Sequence, residues 1–122
     1  MRIFWIGFFG LLGIYARYGV DQWLTKPGAV FPLSTFIINL SGSFFAGVLF
    51  GLGTERGWLS PDLRIGLMVG LLGGFTTFSA YALQSALAIK NGEIGWGVSY
   101  LVLSPVLGLI LAFAGMATAR AL

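Results

Sequence analysis

The sequence contains no cysteine and no histidine. The first absence excludes a disulfide framework, a thiolate metal site and thiol chemistry, and the second removes the usual general base and zinc ligand. Most enzyme mechanisms fail on these grounds, and the chain reads as a non-enzyme. Charge is scarce as well. Asp, Glu, Lys and Arg make up 9% of the 122 residues, whereas a soluble domain carries about 25%. With 57% hydrophobic residues and a mean hydropathy of +0.92, an ordinary water-soluble globule is excluded. The net charge of +3 comes from scattered Lys and Arg without a basic tract. That pattern suits membrane-flanking positions and gives no case for nucleic-acid binding.

What the sequence has in quantity is long uncharged runs. Residues 31–53, 65–89 and 96–119 contain no charged side chain, and a fourth run, 3–24, is interrupted only by Arg17 and Asp21. Each exceeds the roughly 20 apolar residues that an α-helix needs to cross a hydrocarbon core about 30 Å thick. The spacing therefore predicts an all-α integral membrane protein, a single domain over 1–122 with four spanning helices. The basic Arg2 ahead of an apolar start resembles a signal peptide. Tyr15-Ala16-Arg17 is a poor small-residue cleavage site, however, so the first span is expected to be retained.

With four spans, the N-terminus, the second connection and the C-terminus lie on one side of the membrane. That side carries Arg2, Arg56, Arg64 and Arg120, and the other carries Lys26, Lys90 and Arg17. Positive charge in short loops normally fixes insertion direction. Four against three leaves almost no bias, so the sequence permits insertion both ways and an antiparallel pairing of two copies. Four helices of this size enclose little by themselves, and a homo-oligomer is expected.

Glycine is abundant, at nineteen residues, and it is patterned. Gly66, Gly70 and Gly74 recur every four residues, as do Gly47 and Gly51, while Gly108, Ala112 and Gly115 share a face of the fourth span. Small residues at this spacing let helix backbones approach closely in lipid. Gly73 and Gly74 open a different feature, the stretch GGFTTFSAYALQS within an uncharged span. Adjacent glycines weaken a helix and the threonines that follow compete for its backbone bonds, which predicts a break near Gly73 to Thr77. Backbone groups freed at membrane depth need partners, since lipid supplies none. Freed carbonyls suit a cation such as Na⁺, and the start of the next half-helix suits an anion.

The polar residues in the spans are hydrogen-bond donors without a carboxylate. Ser34, Thr35, Asn39, Ser41 and Ser43 fall in the second span, Thr76, Thr77, Ser79, Gln84 and Ser85 in the third, and Ser99, Tyr100 and Ser104 in the fourth. Together they suggest a polar track for an anion, because a cation pathway would show Asp or Glu. Tyr100, Ser104 and Gly108 form one helical row. Phe78 and Tyr81 share a face of the half-helix after the break, either as packing or as ring edges turned to an anion. Arg17 lies roughly 21 Å along the first helix, counted at about 1.5 Å per residue, near enough to the interface to anchor the span or to face a vestibule.

Three segments, GLLGIYARY at 10–18, NLSGSFFAG at 39–47 and GLLGGFTTFS at 70–79, resemble the Fluc, or CrcB, family of fluoride channels. The resemblance covers essentially the whole chain. It implies a dual-topology antiparallel homodimer in the cytoplasmic (inner) membrane, with passive export of fluoride that relieves its toxicity. It also implies a structural Na⁺ held by the main-chain carbonyls of Gly73 and Thr76. The family's pore residues fall on Asn39, Phe78, Tyr81, Tyr100 and Ser104, with Thr77 and Ser79 beside them and Arg17 in the vestibule. Two positions depart from the pattern. Tyr81 stands where the family has phenylalanine, with a hydroxyl that is free either to meet the ion or to bind a neighbour, and Gly108 stands where some members have serine. The alternative, a small proton-coupled multidrug exporter, needs a carboxylate inside the membrane, and Glu55, Asp62 and Glu93 all lie in connections while Asp21 sits near a span end.

Overall fold

The computed structural model describes residues 1–122 and consists of helices and short connections. Helix α1 is Arg2–Leu24, and α2, Leu33–Phe50, continues through a π-helical segment, Gly51–Glu55. The third rod is composite. It begins as α3, Pro61–Ile65, widens to a π-helical segment, Gly66–Leu72, closes as the single turn α4, Gly73–Phe75, and resumes after two residues as α5, Phe78–Lys90. The last rod is α6, Ile94–Ala121. These make four rods long and apolar enough to cross a membrane, namely Arg2–Leu24, Leu33–Glu55, Pro61–Lys90 and Ile94–Ala121.

The third rod starts four residues ahead of the uncharged run at 65–89. Ser60 is the reason: its hydroxyl accepts the Leu63 N–H at 3.3 Å, and Pro61 occupies the first helical position, where its missing N–H costs nothing. Helix formation thus begins inside what composition alone marks as a polar connection. The three connections turn at Gly28, Gly57 and Gly92, each with φ between 67° and 79°, a conformation that side chains with a Cβ disfavour.

Two backbone-to-backbone crossings organise the bundle. A Cβ placed on Gly47 would lie 2.0 Å from the Ala112 carbonyl oxygen, and one on Gly115 would lie 2.0 Å from that of Phe44. Helices α2 and α6 therefore touch main chain to main chain. The same holds for α1 against the third rod, where a Cβ on Gly13 would meet Leu71 O at 2.1 Å and one on Gly70 would meet Ile6 O at 2.6 Å. All three small-residue rows of the sequence thus contribute to helix-crossing seams of the kind that lipid-embedded helices use.

The rod ends are tied by ion pairs. Arg2 Nε meets Asp62 Oδ1 at 2.9 Å, and Arg120 grips Glu55 with two bonds of 2.8 and 2.9 Å. Both termini and the 54–64 connection therefore share one end of the bundle. Between the ends, the outward surface is apolar, with Leu83 60% and Phe113 62% exposed. A surface like this belongs in lipid or against another protein. The chain is a multi-pass membrane protein.

Candidate functional site

The break in the third rod lies at Thr76 and Thr77, whose backbones are extended at φ −81°, ψ 158° and φ −148°, ψ 116°. Partners for the interrupted ladder come from three directions. Upstream, the Thr76 N–H and hydroxyl both donate to Leu72 O, at 2.9 and 2.8 Å. From α1, Arg17 Nε donates to Gly74 O at 3.0 Å. From α2, Asn39 takes both backbone groups of Thr77, accepting its N–H at 2.8 Å and donating Nδ2–H to its carbonyl at 2.9 Å. Thr77 in turn caps α5 by accepting the Ala80 N–H at 3.2 Å. In an unbroken helix the Thr77 N–H would serve Gly73 O, so Asn39 withdraws that donor. The Thr76 carbonyl accepts no hydrogen bond at all.

An open cavity of about 600 Å³ lies against this break. Its wall brings together Asn39, Gly73, Thr76, Thr77, Phe78 and Tyr81 from the first part of the pathway with Ser104 of α6, and it contains no charged side chain. Ser104 is its most informative member. The residue is only 9% exposed, and its hydroxyl has no hydrogen-bond partner. Buried hydroxyls are almost always paired. This one sits in a residue of the cavity wall and is a donor with no partner inside the protein. Gly108, one turn on, lies so close to Ser43 that a Cβ there would sit 3.2 Å from Ser43 Oγ.

A second, smaller cavity of about 250 Å³ also borders Thr77, lined by Arg17, Tyr18, Asp21, Thr35, Thr77 and Gln84 among others. Thr77 walls both cavities. Arg17 is half-buried there and joined to the helix break through its bond to Gly74 O.

Not every residue expected on the pathway faces it. Tyr100 is 1% exposed, walls neither cavity, and donates its hydroxyl to Gln84 Oε1 at 2.9 Å. Gln84 passes the connection on by donating Nε2–H to Thr35 Oγ1 at 2.8 Å. Four rings surround Tyr100, those of Phe31, Phe36, Tyr81 and Trp96, at centroid distances of 5.2 to 6.4 Å. Ser79 is exposed, near Thr77 Oγ1 at 3.4 Å, and walls neither cavity. Asn39 walls the large cavity, but its oxygen and one amide hydrogen are committed to Thr77, which leaves one N–H for any other partner.

The Tyr81 hydroxyl is likewise committed, donating to the Leu101 carbonyl. Phe78 and Tyr81 stand with ring centroids 5.8 Å apart in a tilted pair. The reading from sequence overlooked Pro105, inside α6. A proline within a helical run withholds the hydrogen bond due to the carbonyl four residues earlier, and that carbonyl is Leu101.

Fold and site together define a small four-span membrane protein in which a broken helix borders an uncharged, donor-bearing cavity, the construction of a passive ion pathway. The family model described as CrcB-like protein, Camphor Resistance (CrcB), matches residues 4–116, and the chain belongs to this family. Similar proteins include the fluoride-specific ion channel FluC of Rhodospirillum centenum, 44% identical over 115 residues, covering 91% of this chain and 89% of the relative. The FluC of Methylobacillus flagellatus is 42% identical over 107 residues, 88% of this chain and 78% of the relative. That of Thermus thermophilus is 44% identical, covering 87% and 84%.

Proposed function

We propose that this chain forms a fluoride-selective channel, through which fluoride leaves the cell passively across the cytoplasmic membrane, and that it works as an antiparallel homodimer. The observation that carries this reading is the buried, unpartnered Ser104 hydroxyl in the wall of a cavity without charge. Fluoride is a compact acceptor that sheds water only where donors replace it. Ser104 Oγ–H, the spare Asn39 N–H and the ring edges of Phe78 and Tyr81 are such donors, held in a low-dielectric site where they act strongly. The large cavity's wall has no carboxylate to exchange a proton for a cationic substrate, and the one carboxylate of the smaller cavity, Asp21, is held by the hydroxyls of Ser34 and Thr25 near the end of its span, which disfavours a coupled exporter.

In this mechanism an anion enters the smaller cavity beside Arg17, passes Thr77, which walls both cavities, and is handed from Asn39 and the aromatic edges to Ser104. No bond is made or broken, and neutral donors suffice because fluoride accepts but never donates. Tyr100 contributes indirectly, since its hydroxyl is directed to Gln84 while its ring supports that of Tyr81 at 5.2 Å.

The residues at the break fit a structural Na⁺. Gly73 O has lost its helical donor to Asn39, Thr76 O has no donor, and both residues border the open cavity. Oxygen-only carbonyl ligation suits a hard cation. Such an ion would supply fixed positive charge where two copies meet, and these two carbonyls of each copy would hold it.

Ion efflux from liposomes containing the purified protein tests the reading, with fluoride- and chloride-selective electrodes following a K⁺ gradient opened by valinomycin. Fast fluoride efflux with little chloride is the expected result. Folded protein that passes no fluoride overturns it. Single cysteines introduced at Arg2 and Lys90 test the antiparallel arrangement: cross-linking between the two positions is expected, and cross-links only between like positions contradict it.

A further inference from the structure

We propose that the Tyr81 hydroxyl is a positioning group, which completes the hydrogen-bond ladder of α6 at the gap made by Pro105 and so fixes the turn that presents Ser104. The inference rests on the channel reading for its functional consequence, whereas the bond itself stands on geometry. Pro105 has no N–H, so Leu101 O lacks its helical partner in the middle of a span. Lipid offers no substitute. Tyr81 donates to that carbonyl from α5, across the interface between the two helices.

The location gives this bond its importance. The turn closed by residues 101 and 105 carries the unpartnered Ser104 hydroxyl and follows directly on the buried Tyr100. Tyr81, Ser104 and Pro105 border the same cavity. Tyr81 also packs its ring 5.2 Å from Tyr100 and 5.8 Å from Phe78, so one residue ties the aromatic pair to the proline turn. A phenylalanine would keep the ring contacts and lose the tie. The carbonyl would then stand unpaired next to the anion path, where its negative end opposes fluoride, and the turn would be free to shift Ser104.

The hydroxyl is therefore needed because of the proline, and this dependence is what a double-mutant cycle measures. The four proteins are the parent, Tyr81→Phe, Pro105→Ala and the double variant, each reconstituted in liposomes for fluoride efflux. Tyr81→Phe is expected to lower fluoride flux about tenfold, the size of one buried acceptor left unsatisfied. In the Pro105→Ala background residue 105 supplies its own N–H to Leu101, and adding Tyr81→Phe is expected to change flux by less than about twofold. A carbonyl label at Leu101 gives an independent readout: its infrared band is expected to move to higher frequency in Tyr81→Phe and to return in the double variant. Equal losses from Tyr81→Phe in both backgrounds, or an unmoved Leu101 band, overturn the proposal. Absence of flux in the parent overturns the channel reading alone, and the infrared band then still decides the bond.

Discussion

Asn39 and Thr77 are joined by two reciprocal hydrogen bonds, at 2.8 and 2.9 Å, that make the side chain of α2 a substitute for helical backbone at the break. The amide is uniquely suited, because it donates and accepts side by side. A carboxylate only accepts. Asn39→Asp would keep the bond from the Thr77 N–H, set an oxygen against the Thr77 carbonyl, and add negative charge to an uncharged cavity. Fluoride flux is expected to fall by about tenfold or more, as about 1–3 kcal/mol for a buried carbonyl left unsatisfied implies before the added charge is counted. Undiminished efflux from this variant would remove Asn39 from the pathway.

Ser104→Ala separates a ligand role from a structural one. The hydroxyl has no partner in the protein, so its removal breaks nothing and relieves a desolvated donor. Thermal stability in detergent is expected to stay within about 1 kcal/mol of the parent or to rise, while fluoride efflux falls several-fold. A variant that loses stability in proportion to flux would show that Ser104 serves packing.

The four spans were legible because absence of charge over about 20 residues has one physical solution in lipid, and the break was legible because Gly73-Gly74 and two threonines weaken a helix together. The geometry of Asn39 was not. Its donor capacity is evident from residue type, but nothing in sequence spacing says that α2 lies level with Thr77. Tyr100 shows the same limit from the other side: it shares a helical row with Ser104, yet four neighbouring rings and Gln84 enclose it. Pro105 was available to inspection, since a proline in a helical run marks the carbonyl four residues back, although only the folded chain identifies Tyr81 as the donor.

The glycine seams predict a sharp contrast among chemically identical changes. Gly13→Ala and Gly47→Ala would place a Cβ 2.1 and 2.0 Å from backbone oxygens that cannot rotate away. Each is expected to cost at least about 1–3 kcal/mol, the usual penalty for overpacking, and to reduce the yield of folded protein. Gly19→Ala meets nothing within 4 Å and is expected to remain within about 0.5 kcal/mol of the parent. Thermal unfolding of the three variants, monitored by size-exclusion recovery, checks the order. Equal tolerance of all three would mean that the helices do not cross where described.

Arg17 offers a choice between charge and shape. Its Nε–H donates to Gly74 O on the upstream side of the break, and a guanidinium does this while keeping further donors free. Lysine carries the same charge on a flexible stem with a different donor geometry, so it preserves an electrostatic role and loses the fitted bond. If attraction of anions were the whole contribution, Arg17→Lys would conduct nearly as well as the parent and only Arg17→Gln would fail. The bond to Gly74 predicts otherwise: both variants are expected to lose flux by about tenfold, the weight of one hydrogen bond from a charged donor. Raising the salt concentration discriminates further, because screening weakens exposed charge at a distance and barely touches a short, half-buried contact. Efflux that is retained in Arg17→Lys and declines with salt in the parent would assign the residue to the field of the vestibule. Equal loss in both variants, with flux insensitive to salt, would assign it to the frame of the broken helix.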